Sequence, residues 1–293
     1  MALQLLNDGW DYHATESERL AGELEAAAGS IGDEDLDPLL HLGVHTIGEH
    51  LGDWPRALRL AEDVLAARTP RAETARAWSR LGVARTMAGD ATGALAAELA
   101  AQGAATDALA AMIEARFLLV AALVGSKRSA EAAALFDAAL TLAGAVGEAA
   151  PARAIAVASN NLAAELLEAD ARTPGDDALM DRAADAAYVY WLRAGDWVNE
   201  ALALGLKTAV ALALGRPHAA LELSADALRV IAANGKRPID TALLHLARSR
   251  ANAAVGDAAR RDHELALADA AAEDAPNEGL KAWYAEERAK ALA

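Results

Sequence analysis

The chain has 293 residues, a formal charge of −16, no cysteine, eight prolines and only 4% aromatic residues beside 54% apolar ones. Alanine, the strongest helix former, dominates, while the β-branched and aromatic residues that a sandwich or barrel needs are sparse. The missing cysteines exclude disulfides, thiol nucleophiles and thiolate metal sites, and 43 acids against 27 Lys plus Arg oppose binding to a phosphate backbone.

The first residues, Met1 to Trp10, contain no basic region and no long apolar run, so they do not read as an export signal. Residues 1–53 hold twelve acids and one base, Arg19, which gives this segment −11 of the total. Such an end favours a basic partner, or simply keeps the chain soluble. Helices are expected at 2–12 with 16–28 and at 36–50 with 54–67. Between them, Asp33-Glu34-Asp35-Leu36-Asp37 alternates acids as a calcium loop does. Pro38 and Val44 stand where such a loop needs Gly and Glu, however. The same letters describe an acidic connection with Asp37 capping the next helix and Pro38 in its first turn. His41, His45 and Glu49 follow at intervals of four, with His50 next. That spacing suits a transition metal, but paired histidines four apart are common by chance. A hydrated or partner-facing stripe is the reading kept, with no metal expected.

Gly-centred turns recur between apolar-periodic segments at Gly52-Asp53, Gly89-Asp90, Gly125-Ser126, Gly215-Arg216 and Gly256-Asp257. Successive steps are 37, 36, 90 and 41 residues, the long one spanning two units with an insertion. Glycine closes one helix and Asp or Ser caps the next. The unit at 75–103 reads Trp78-Ser79-Arg80-Leu81-Gly82, then Gly89-Asp90, then Ala94 and Ala101. It resembles the tetratricopeptide repeat, with small residues where the two helices of a hairpin cross. Second-helix patterns return at Glu131–Leu140 and Ala220–Leu228, and a first-helix pattern at Asn160-Asn161-Leu162-Ala163. The chain departs from the repeat at His45, Lys207 and Arg261.

The resemblance implies further pairs at 71–88 with 91–103, 106–124 with 129–143, 150–168 with 177–193, 197–213 with 217–232, and 239–254 with 257–271. A charged helix, 277–291, would cap the array. The expected fold is one all-α solenoid over 1–293, a right-handed superhelix of about seven pairs. In such folds the first helices line a concave groove. The groove positions are then Arg76, Ser79, Arg80, Val83, Thr86, Met87, Arg116, Asn160, Asn161, Lys207 and Arg248. Asn pairs with extended backbone and Arg forks onto a carboxylate.

Tyr188, Tyr190, Trp191 and Trp197 gather four of the twelve aromatics within ten residues, after the loop Asp170–Asp177. They read either as an interface hot spot or as anchors filling a widened repeat. No phosphate loop, zinc helix motif or nucleophile elbow is visible, so no enzyme and no cofactor are expected. The longest apolar run, Phe117 to Val124, is too short to cross a bilayer. The expectation is a cytoplasmic scaffold or adaptor for a protein or peptide, without nucleic acid or membrane. A regulatory receptor for a small ligand or signalling peptide, and an oligomeric element built on a second copy, are the alternatives.

Overall fold

The computed structural model describes residues 2–292, and every described element is helical. The fold is an all-α helical-repeat solenoid, and the chain divides into two compact units, 1–151 and 152–293. In the first unit the pairs are α1 (Ala2–Tyr12) with α2 (Ser17–Ala27), and α3 (Leu36–Gly43) with α4 (Trp54–Leu65). They continue as α5 (Ala75–Met87) with α6 (Ala91–Ala104), and α7 (Ala108–Gly125) with α8 (Ser129–Val146). The second unit holds α9 (Ala152–Glu168) with α10 (Pro174–Ala194), α11 (Trp197–Ala213) with α12 (Pro217–Asn234), and α13 (Pro238–Ala254) with α14 (Ala258–Glu273). It ends in α15 (Glu278–Leu292).

The repeat shows in the packing. Each helix lies against its hairpin mate, and first helices also touch the next first helix: α5 with α7, α9 with α11, α11 with α13, and α13 with α15. Much of the interior is alanine. Ala97, Ala101, Ala132, Ala139, Ala143, Ala183, Ala187, Ala203, Ala242 and Ala268 are almost wholly enclosed, so helices approach closely with few large side chains between them. Gly82 faces Ala94 and Ala97 at the α5–α6 crossing, as expected. A methyl group there would stand 3.6 Å from the Ala94 carbonyl, an ordinary contact, so the crossing does not demand glycine.

The expected glycine conformation holds at four of the five turns and the expected Asp or Ser cap at three: α8 and α12 start behind Arg128 and Arg216 without a side-chain cap bond, so Ser126 is no cap. Gly52, Gly89, Gly215 and Gly256 all adopt positive φ, and Asp53, Asp90 and Asp257 cap the next helix through the backbone N–H three residues on. In the remaining turn Gly125 closes α7, and the residue with positive φ is Lys127, at +59°.

Three local expectations are corrected. Helix α10 starts at Pro174 rather than 177, behind a Thr173–Asp176 capping box that satisfies its first N–H groups. Asp37 is no cap: it lies inside the first turn of α3 and accepts hydrogen bonding from Arg80. The expected helix 36–50 is α-helical only to Gly43; Val44–His50 runs as a π-helix. Its exit bond, Leu51 N–H to the Thr46 carbonyl, spans five residues.

Helices α7 and α8, 18 residues each, are long and apolar enough to cross a membrane by length and composition. In α7, Glu114 and Arg116 interrupt the apolar sequence, which is why its longest uninterrupted run, Phe117 to Val124, is short. Those two charges stand beside Arg76 and Glu98 of neighbouring helices, and Phe117 meets Phe136 edge-on at 5.6 Å.

Candidate functional site

The second unit contains an open trough of about 570 Å³ walled by three successive first helices, α11, α13 and α15. Leu202, Leu206 and Ala209 come from α11, Leu243 and Ala247 from α13, and Trp283 from α15. Helix α11 is apolar around most of its circumference, so burying one face leaves a second apolar stripe uncovered. Leu202 and Trp283 are each 43% exposed, and they share one apolar patch rather than standing singly.

Charge gathers on the rim. Asp240 is paired with Arg237 at 2.5 Å, and Lys290 with Glu287 at 2.7 Å. Arg250 is exposed and, among the described residues, has no acid within ion-pair distance. Helix α15 is fastened by Asp269 of α14, which accepts from Tyr284 Oη at 2.8 Å and from Arg288 at 2.7 and 3.0 Å. The Arg288 hydrogen bond, ahead of that from Tyr284, holds the Asp269 carboxyl below its ordinary value. Burial first, and then the hydrogen bond to Asp269, raise the Tyr284 phenol.

The sequence-derived groove residues divide between places. Ser79, Val83, Thr86 and Arg116 do meet, around a cavity of about 280 Å³ bounded by α5, α6, α7 and Leu135 of α8. Ser79 and Val83 are buried at its base, Thr86 bonds back to the Gly82 carbonyl, and Arg116 pairs with Glu98. Leu95, at its edge, and Leu99 are exposed on α6. Arg76 and Arg80 turn the other way, toward Asp37, and Arg80 is buried there. Met87 packs against the core, with Arg128 Nη1 3.7 Å from its sulfur. Asn160 is half-buried and Asn161 exposed on α9.

Lys207 and Arg248 point away from the trough. Lys207 pairs with Asp185 at 2.8 Å and lies 5.1 Å from the Tyr188 ring, in a separate acidic cavity of about 300 Å³ with Asp181 and Arg216. Arg248 ties α13 to its neighbours through Glu264 at 2.8 Å and the Leu221 carbonyl at 3.0 Å. Two residues on, Arg250 reaches the trough instead.

The aromatic cluster faces inward. Tyr190 and Trp191 are 7% and 8% exposed, and Arg193 and Arg153 cover their rings at 5.1 and 5.5 Å. Tyr188 and Trp197 pack against Ala201, Leu204, Ala227 and Ile231. Tyr190 and Trp191 are thus buried, while Tyr188 and Trp197 are half-buried at the edge of that cluster. Sequence reading missed Leu202, Leu206, Leu243 and Trp283; the available signal was the all-round apolarity of α11 and a lone Trp within an otherwise charged terminal helix.

This arrangement defines the class: a helical-repeat protein with an apolar, charge-rimmed trough on its first helices. No family model and no curated protein matches the chain. Among solved structures, the crystal structure of BtubC (BKLC) from P. vanneervenii is similar over 90% of this chain and 95% of its own, at 16% identity and a TM-score of 0.48.

Proposed function

We propose that the protein is a non-catalytic, cytoplasmic scaffold of tetratricopeptide type that holds a peptide segment of a partner protein in the α11–α13–α15 trough. The observation that carries the reading is an uncovered apolar floor with an exposed cation at the rim, Arg250, which has no ion-pair partner among the described residues. Apolar side chains of the segment leave water against Leu202, Leu206 and Trp283, a gain of roughly 25 cal/mol per Å² of apolar surface covered. A carboxylate of the segment meets Arg250, whose planar fork orients it. The reading thus moves from a basic partner, suggested by overall charge, to an apolar segment bearing an acid.

The test is a fluorescence-anisotropy screen of labelled peptides carrying two or three large apolar residues, with and without an acidic residue. The wild-type chain should retain the acidic set. Leu202→Glu should abolish binding, and Arg250→Glu should reverse the preference toward Lys-bearing peptides. Equal retention by all three proteins would remove the trough from consideration.

A further inference from the structure

The π-helical segment brings together residues that an α-helix would separate. An α-helix turns about 100° per residue, so side chains five apart point about 140° away from each other. The wider i→i+5 ladder of Val44–His50 closes that angle and places His50 on the face of His45. Their Nε2 atoms stand 3.1 Å apart, and their ring centroids 4.6 Å. A third imidazole arrives from the turn after α1: the His13 ring lies 5.1 Å from both others. One nitrogen from each of the three lies within 4.8 Å of the other two.

The outer contacts fix which nitrogens face inward. Glu49 Oε2 is 2.5 Å from His45 Nδ1, and the Trp10 carbonyl is 2.7 Å from His13 Nδ1. A carboxylate and a carbonyl only accept, so each Nδ1 carries the proton and donates it. The Nε2 atoms of His45 and His13 therefore carry lone pairs, and that of His45 accepts at 3.1 Å from His50 Nε2–H, a proton that shifts to His50 Nδ1 when a metal ion takes its place. Metal-bound histidines are characteristically braced in this way, by a carboxylate or carbonyl on the far nitrogen. Glu49 is itself braced, since a methyl group on Gly125 of α7 would stand 3.0 Å from its Cβ and Cγ. Trp10 adds an aromatic wall, 5.3 Å from His13 and 5.6 Å from His45. The His50 side is exposed, leaving room for a water.

We infer that His13, His45 and His50 form a binding site for a divalent late transition ion, Zn²⁺ in the first instance, with Glu49 and the Trp10 carbonyl as its outer shell. Tetrahedral coordination at about 2.0–2.1 Å places ligand nitrogens about 3.4 Å apart, so modest rotation of the His13 ring completes the set. Three imidazoles with an open fourth position suit Zn²⁺, Co²⁺, Ni²⁺ or Cu²⁺ and disfavour Mg²⁺ and Ca²⁺, which prefer oxygen. His41, although four residues before His45, meets Trp10 edge-on with ring centroids 4.9 Å apart and stays outside the triad.

The experiment is isothermal titration of the full, untagged chain with ZnCl₂, with MgCl₂ as the comparison. Co²⁺ absorption supplies an independent reading of coordination geometry. One Zn²⁺ should bind with micromolar or tighter affinity, and Co²⁺ should give the intense visible bands of a tetrahedral site. His13→Ala and His50→Ala should each weaken binding more than tenfold. Glu49→Gln should weaken it about tenfold at unchanged stoichiometry. His41→Ala should leave it unaltered. Circular dichroism of each variant separates lost ligation from lost folding. No binding by a folded wild-type chain, or Zn²⁺ affinity indifferent to His13→Ala, overturns the assignment.

Discussion

Trp54 Nε1 donates a 3.1 Å hydrogen bond to the hydroxyl of Ser126, tying the first turn of α4 to the turn after α7 across 72 residues. The indole lies directly over Gly48 of the π-helix, where a methyl group would come within 2.5 Å of Trp54 Cζ3. Gly48→Ala must therefore displace the ring or the segment that carries His45 and His50. A loss of about 1–3 kcal/mol is expected from overpacking. Ser126→Ala, which only removes an acceptor, should cost about 1 kcal/mol. Urea unfolding of the two variants checks the order.

Lys127 holds a left-handed backbone conformation that four other turns assign to glycine. A side chain there crowds the following carbonyl, and glycine removes the strain at some cost in unfolded-chain entropy. Lys127→Gly should stabilise the protein by about 0.5–1 kcal/mol, read as an upward shift in thermal midpoint.

The Arg80 guanidinium is buried against Asp37, and Arg76 Nη1 stands 3.7 Å from the other oxygen of the same carboxylate. Removing Asp37 strands a buried cation, whereas removing Arg80 leaves Asp37 partly wet and still near Arg76. Asp37→Ala should therefore destabilise by about 3–5 kcal/mol. Arg80→Met should cost less, because its apolar stem refills the space. The inverse order in equilibrium unfolding would contradict this account.

The Asp269–Arg288–Tyr284 contact carries a pH signature. Asp269 is held below its unfolded value, so its contribution is present above that value, near pH 4, and is lost as pH falls through the folded one. The Tyr284 phenol is raised, so its contribution is complete below about pH 10 and fades as pH climbs. Asp269→Asn should lower stability by roughly 1 kcal/mol at pH 7, after allowance for solvent at this half-exposed pair. The difference from wild type should shrink toward pH 3. Tyr284→Phe should remove this residue's share of the alkaline limb and shrink the acid one slightly, since its hydroxyl helps to hold Asp269 low, as measured by urea midpoints across pH.

Helix existence and position were legible because Gly-Asp turns and apolar periodicity are local signals, and nearly every expected helix lies within a few residues of an observed one. Facing was harder. Along Ala201–Leu206 both sides of α11 are apolar, so nothing local says that Leu202 meets solvent and Lys207 meets Asp185. The same ambiguity displaced Arg248 for Arg250. The π-helix escaped notice because its seven residues carry no composition of their own; packing of Gly48 under Trp54 accompanies it. His13 was out of reach for a different reason, being 32 residues from His45 in sequence and joined to it only through space.

The alanine interior inverts the usual logic of mutagenesis. Where methyl groups already form the contact surface, truncation scanning is silent by construction, since many of the positions that set helix spacing offer nothing to remove. Drift toward bulkier letters such as Val or Leu would instead pry neighbouring hairpins apart one notch at a time. Tolerance to substitution in this chain should therefore be governed by an upper bound on side-chain size.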